Sequence, residues 1–368
     1  MRRLTVVQLL PALESGGVER STLEIAAALV AAGHRAIVVS AGGRLVPVLE
    51  QAGAEHHCLD IGRKSPVVLR HVPALRRLFR HADIVHARSR LPAWLGRMAL
   101  AGLPAARRPR WVTTVHGLNS PGRYSAVMAS GEQVICVSQT VRDYVLKHYP
   151  GVDPVRLQVI ERGIDPARFP PRPRPDRQAL AAVAAGHPAL AAAAPLLLLP
   201  GRGTRLKGHA DALHLLAALH AAGRPGARLW LPGAREAGRE AYIAELQSLA
   251  ADLGVAGAVL FTPPTSRIAT AYAASDLVLQ LSRKPEAFGR TVIEALSVGR
   301  PVLGWAHGGV GELLDALQPA GAVAPFDASA LAATALRLLA DPPQPMPVPY
   351  TLQAMQRATL DLYAELAG

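Results

Sequence analysis

Short, continuous apolar runs alternate along this chain with longer Ala- and Leu-rich stretches. Residues 4–10 form one such run, the pattern of a strand covered on both faces. Gly16 and Gly17 break it. Residues 21–32 then have helical character up to Gly33, which suits the position just past a helix end. Residues 36–40 return as a second strand. Strand, glycine-rich loop, helix and strand make a βαβ unit, which predicts a parallel sheet with helices on its faces. The pattern continues: Ile84-Val85 precede His86, residues 111–115 precede His116, and residues 133–137 precede Ser138. Ligands of open α/β sheets bind beyond the carboxyl ends of the strands. These polar endings are therefore predicted to gather at one place.

From Pro166 to Pro175 the composition shifts to Pro and Arg, and an Ala-rich stretch runs to Ala194. Repeated prolines oppose a regular element, so this region reads as a linker leading into a second domain. Strands are predicted at 196–199, 228–231, 259–261, 277–281 and 301–304, with a helix over 207–222 and further helices between the later strands. The second half is another doubly wound unit. The total of 368 residues fits this division, at roughly 150 residues per domain.

Half of the residues are apolar and 18% are charged, which excludes extensive disorder. Two cysteines exclude a disulfide scaffold and favour a reducing compartment. The net charge of +13 suits anionic partners. No apolar run approaches the ~20 residues of a membrane-spanning helix. Met1-Arg2-Arg3 followed by apolar residues imitates a signal peptide. Glu14-Ser15-Gly16-Gly17 stands where a small-residue cleavage site should lie, however, so a first buried strand is the better reading. A cytoplasmic protein is expected.

Three segments carry candidate chemistry. Glu286 and Glu294 lie eight apart with Gly289 between them, just after a predicted strand. A helix starting near Gly289 would leave Glu286 in a loop over the ligand crevice and Glu294 inside the helix. The loop amides and the helix N-terminus form a ready anion site. Glu294 is flanked by Val292, Ile293, Ala295 and Leu296, which fits a solvated face poorly. The second segment, from Gly201 to Gly208, is a glycine-rich strand-to-helix turn bearing Arg202 and Lys207. Arg offers a planar fork to phosphate oxygens and Lys a compact point charge. It is no P-loop, because Lys207 precedes Gly208 and His209 follows. The third, Gly16-Gly17, lacks the Gly-x-Gly-x-x-Gly spacing of a dinucleotide fingerprint, which disfavours an NAD-linked oxidoreductase.

In this order, these segments resemble the family-4 retaining glycosyltransferases of GT-B fold, and the resemblance covers nearly the whole chain. It includes Glu14-Ser-Gly-Gly-Val-Glu19, Val159-Ile-Glu-Arg-Gly-Ile-Asp165, the Gly-Arg…Lys-Gly loop, the Glu-x7-Glu element and Gly308-Gly-Val-Gly-Glu312. The fold so implied is two doubly wound Rossmann-like domains facing across a cleft. Residues 1–170 would bind the acceptor and 171–349 the nucleotide-sugar, with a C-terminal helix over 350–368 packing back on the first domain.

The resemblance assigns roles as well. Arg202 and Lys207 would hold the diphosphate of a UDP-, GDP- or ADP-sugar, Glu294 the ribose hydroxyls, and Glu286 the donor sugar near its reacting carbon. Phe288 and Gly289 would supply backbone donors there. Gly16 and Gly17 would approach the donor, and His116 the transferred sugar. No cofactor and no metal are implied, and no Asp-x-Asp motif occurs. Two positions depart from the family pattern. Glu161-Arg162-Gly163 stands where Pro-Asn-Gly is usual, and Gly203-Thr204-Arg205 where an apolar residue often follows the arginine.

The first half also gathers cations: Arg63, Lys64, Arg70, Arg76, Arg77, Arg80, Arg88, Arg90, Arg97, Arg107, Arg108 and Arg110. Val67, Leu69, Phe79, Trp94 and Met98 are interleaved with them. That pattern fits a basic amphipathic surface seated on the anionic inner face of the cytoplasmic membrane. With it goes a glycan or lipid-linked acceptor of lipopolysaccharide type. A nucleotide-sugar epimerase on the same fold is one alternative. A nucleic-acid-binding protein is another, disfavoured because aromatic residues make only 4% of the chain and leave few stacking platforms.

Overall fold

The apolar runs become the strands of two all-parallel sheets. The computed structural model describes residues 2–14 and 16–368. In the first sheet the strands are β1 (Thr5–Leu9), β2 (Arg35–Ser40), β3 (Glu55–Cys58), β4 (Ile84–Ala87), β5 (Arg110–Val115), β6 (Gln133–Cys136) and β7 (Leu157–Val159). Their order is β3-β2-β1-β4-β5-β6-β7. The second sheet contains β8 (Leu196–Leu198), β9 (Arg228–Pro232), β10 (Val259–Thr262), β11 (Leu277–Gln280), β12 (Val302–Trp305) and β13 (Ala322–Val323), in the order β10-β9-β8-β11-β12-β13. Each chain segment starts mid-sheet, winds outward to one edge, returns and winds to the other. Both sheets are therefore doubly wound and Rossmann-like. Their switch points, where such folds bind ligands, lie between β1 and β4 and between β8 and β11.

Two compact units result. One comprises the residues up to Gly163 together with Leu352–Gly368, and the other Ile164–Thr351. The division falls ahead of the proline-rich segment. Residues 166–175 carry no helix or strand, but Arg177–Ala184 is helical where the sequence suggested a linker. Asp176 starts that helix, its carboxylate accepting from the Ala179 N–H at 2.9 Å.

Each unit has its own core. In the first, Val6, Val38, Ile84, Val112 and Ile135 of the sheet pack with Ile25 and Leu29 of helix Gly17–Ala31 and with Met355, Leu362 and Tyr363 of helix Leu352–Ala367. His86 lies inside β4 rather than at its end. It is fully buried between the Tyr363 hydroxyl at 2.5 Å from Nδ1 and Thr114 Oγ1 at 2.6 Å from Nε2. Its role is therefore structural. Ser138, the other polar strand ending, accepts from the Val141 N–H and caps helix Gln139–His148. In the second unit Leu197, Leu229, Leu277 and Leu303 of the strands pack against Leu213 and Leu216 of helix His209–Ala221.

The basic surface is smaller than the sequence suggests. Arg88 is buried and donates to Gln8 Oε1 at 2.7 Å and to Ser21 Oγ at 3.1 Å. Phe79 is also buried, because Leu75 and Phe79 share the inward face of helix Val72–Phe79. The Arg76 guanidinium lies against Gly102. Trp94, Met98, Val67 and Leu69 remain exposed, as do Arg63, Lys64, Arg70, Arg77 and Arg97. No helix among the described residues is long and apolar enough to cross a membrane.

Candidate functional site

In the second unit the ends of β8 and β11 meet. After β8 the chain passes through Gly201 and Arg202 into a 3-10 turn, Arg205–Lys207, and then into helix His209–Ala221 through Gly208. Gly208 is left-handed at φ 72°, and a Cβ there would collide with the Leu281 carbonyl oxygen beyond β11. Glycine thus lets the two loops touch backbone to backbone. That contact carries Lys207 to Glu286, Nζ to Oε1 at 2.5 Å. Ser282 Oγ donates to the same oxygen at 2.5 Å, and Gln280 Nε2 lies 3.4 Å from Oε2. The Glu286 backbone is fixed too, its carbonyl accepting from the Gly309 N–H at 2.8 Å. Burial pushes the Glu286 carboxyl upward, but the Lys207 ammonium and the Ser282 and Gln280 hydrogen bonds outweigh it and hold the group below its ordinary range. The result is a preorganised carboxylate beside a cation.

Gly289 precedes helix Arg290–Ser297, and Glu294 lies inside that helix. Glu294 is 7% exposed, so it does not occupy a solvated face. It accepts from the Tyr272 hydroxyl at 2.9 Å, and Arg290 Nε lies 3.5 Å away. Phe288 is buried edge-on against Tyr350, with ring centroids 5.9 Å apart. Arg202 is exposed, and its side chain makes no hydrogen bond or ion pair among the described residues. The second unit thus joins Lys207 directly to Glu286 and sets Phe288, Gly289 and Glu294 on the segment that follows. Gln280, Ser282 and Tyr272 were not singled out from the sequence. The first two could have been, as the polar pair ending the strand before Glu286.

The first unit holds His116, Gly16 and Gly17. His116 follows β5 and lines a 240 Å³ cavity with Val18, Arg88, Arg90, Thr114 and Asn119. Gly16, at φ 145°, and Gly17 begin helix Gly17–Ala31. Arg162 reaches His116 Nδ1, and His116 Nε2 is buried without a partner. Burial, then the Arg162 and Arg88 guanidinia and His86, push this imidazole well below its usual range. Among the described residues no group of three or more His, Cys, Asp or Glu is placed to hold a metal ion.

The buried neutral histidines make stability pH-dependent. Burial holds His209 down to about 4, and His86 and His116 are lowered as well. A group depressed in the folded state contributes stability that is present above its unfolded pKa, about 6.5, and lost as pH falls toward the folded value. His209 alone corresponds to a loss on the order of 3 kcal/mol between about pH 6.5 and 4. The urea midpoint should therefore drop steadily from pH 7 to 5. A flat profile over that interval would contradict the buried neutral state.

A basic, glycine-rich turn thus stands beside a held carboxylate at the switch point of a Rossmann-like unit, and the two doubly wound units have the GT-B fold. The comparisons agree. Residues 15–168 match the model of Glycosyltransferase Family 4, and residues 187–351 match that of Glycosyl transferases group 1. The chain belongs to this family, the family-4 group 1 glycosyltransferases.

Among curated relatives, the D-inositol 3-phosphate glycosyltransferase of Acidothermus cellulolyticus is 28% identical over 246 residues, or 62% of this chain and 53% of the relative. The chain thus spans about half the length of that relative. A glycosyltransferase from Rickettsia africae has a similar structure, with TM-score 0.82, 27% identity and coverage of 100% of this chain and 99% of that one. HepE of Anabaena, solved in complex with UDP and glucose, shares the fold at TM-score 0.80 and 20% identity, over 99% of this chain and 100% of its own.

Proposed function

We propose that the chain transfers a sugar, with retention of anomeric configuration, from a nucleotide-diphosphate sugar to a glycan or lipid-linked acceptor in cell-envelope biosynthesis. The observation that carries this reading is the Lys207–Glu286 pair at the ends of β8 and β11. The second unit binds the donor. Lys207 and Arg202 face the diphosphate and oppose the negative charge that grows as the anomeric C–O bond breaks. That electron pair leaves on the phosphate oxygen, which takes the proton of the attacking acceptor hydroxyl. Glu286 accepts from a sugar hydroxyl and favours positive charge at the anomeric carbon, while Phe288 and Gly289 offer backbone N–H groups. Glu294 holds the ribose hydroxyls. No divalent metal takes part. HepE binds UDP and glucose, which supports a UDP-sugar, with GDP- and ADP-sugars as the other donors to test.

The first unit binds the acceptor, with His116 contacting sugar hydroxyls and Gly16 and Gly17 leaving room at the start of their helix. Arg88 and Arg90 line its cavity, and the curated relatives are named for a phosphorylated acceptor. Both support an acceptor that carries negative charge.

The deciding experiment incubates the protein with UDP-, GDP- and ADP-glucose, with and without membrane extract. Transfer should need the extract and survive chelator. Isomerisation of the donor without acceptor would make the protein an epimerase instead, and strict dependence on Mg or Mn would remove the metal-free mechanism.

The protein works at the inner face of the cytoplasmic membrane. Exposed Trp94, Met98, Val67 and Leu69 among exposed Arg63, Arg70, Arg77 and Arg97 support this. Each cation near an anionic surface contributes ~1 kcal/mol, screened by salt. Sedimentation with anionic liposomes should weaken in high salt and in an Arg77→Glu/Arg97→Glu variant. Equal binding to neutral and anionic vesicles would rule the interaction out.

A further inference from the structure

Arg162 lies just after β7 and is 8% exposed. Its Nη2 meets His116 Nδ1, its Nη1 donates to Ser21 Oγ, and Nη1 lies 3.8 Å from Met355 Sδ. A guanidinium has donors and no acceptor, and it stays protonated. The imidazole nitrogen it meets must therefore be the one without hydrogen. We propose that Arg162 is a positioning residue that locks His116 in the neutral tautomer carrying its hydrogen on Nε2. The ring then serves as a hydrogen-bond donor to a substrate oxygen and cannot act as a base through Nδ1. The catalytic part of this inference rests on the reading of His116 as a substrate-facing residue.

Two further observations agree. Nε2 is buried with no partner among the described residues, so the tautomer leaves an N–H whose acceptor is still to come. A buried donor without a partner is costly, and such exceptions call for an explanation. The ring also lines the 240 Å³ cavity, into which a ligand can bring a hydroxyl or phosphate oxygen. A second proton on Nδ1 would set N–H against N–H and a cation against Arg162, with Arg88 and His86 close by. Among the described residues, the charged and titratable groups that shift the ring, Arg162, Arg88 and His86, all oppose that proton. The usual ambiguity of a histidine, with either nitrogen able to carry the hydrogen, is removed here by a residue 46 positions away.

The test is nitrogen-15 NMR of the histidine side chains in the full chain, with His116→Gln identifying the His116 signals. The native protein should show a pyridine-type Nδ1 and a pyrrole-type Nε2, unchanged between about pH 8 and 5.5. Arg162→Met removes the donor while keeping much of the length. It should mix the two tautomers and let His116 titrate closer to its ordinary value of about 6.5. The kcat for hydrolysis of UDP-glucose should fall roughly 10- to 100-fold, the span of one lost strong hydrogen bond, with a smaller change in KM. Arg162→Lys retains a cationic donor and should recover both the spectrum and most of the rate.

A protonated Nδ1 in the native protein overturns the proposal whether or not the variants fold. So does an unchanged His116 spectrum in Arg162→Met. If the spectra behave as expected and no nucleotide sugar is turned over, the tautomer assignment stands and the glycosyltransferase reading falls.

Discussion

Lys207→Ala is expected to lower nucleotide-sugar turnover roughly 100- to 1,000-fold, the usual effect of deleting one preorganised electrostatic group from a reacting centre. Two losses combine. The departing diphosphate loses a cation at the end of β8, and Glu286 loses the ammonium 2.5 Å from its Oε1. Lys207 is the chief group holding the Glu286 carboxyl down against the upward push of burial. Its removal should therefore shift the acid limb of the pH–rate profile to higher pH. Because the Lys207 side chain is 30% exposed, the variant should still fold. Arg202→Ala should act in the same direction, and since Arg202 has no partner to release, its whole effect reports on the phosphate. Near-normal turnover in both folded variants would remove the diphosphate assignment. Steady-state rates with a thermal melt on the same sample check this.

Glu286→Gln and Glu294→Gln should separate chemistry from binding. Glu286→Gln keeps the shape next to Ser282 and Gln280 but removes the charge that would favour positive charge at the anomeric carbon. Its kcat should fall about 100-fold, by more than its donor KM rises. Glu294 lies inside helix Arg290–Ser297 and accepts from Tyr272 of a neighbouring helix, and its proposed partner is the ribose, away from the reacting bond. Its Gln variant should raise donor KM roughly 10- to 100-fold, the value of a hydrogen bond to a charged group, and leave kcat nearly unchanged. A pure KM effect at Glu286 with a pure kcat effect at Glu294 would mean that the two carboxylates have exchanged roles.

The central strands were legible because strands covered on both faces must be apolar throughout, as in Val6–Val7 and Leu277–Leu279. The edges were not. β3 is Glu-His-His-Cys and β13 has two residues, so neither stands out as an apolar run. The glycine-rich turn, Glu286 and Glu294 could be named from local spacing. The pairing of Lys207 with Glu286 could not, because a doubly wound sheet sets β8 beside β11 across some 80 residues of chain. His86 illustrates the limit. Its placement before a loop suggested chemistry, yet Tyr363, 277 positions away, makes it a core residue. Phe79 was readable in principle, since Leu75 and Phe79 are one helical turn apart and share a face.

The Tyr363–His86 hydrogen bond also bears on when the first unit can finish folding. Its sheet is complete by Val159, but the helix that closes its core begins only at Leu352, beyond the whole second unit. The domain is discontinuous, whereas the second is one uninterrupted stretch. During synthesis at ~5–20 residues per second, the first domain emerges early and must wait through the making of the second with the Met355, Leu362 and Tyr363 side of its core open and His86 lacking the Tyr363 hydroxyl. The later-born domain is thus the first whose own chain is complete, and a chain ending before Leu352, once released from the ribosome, should be protease-sensitive in its N-terminal half and resistant in its C-terminal half.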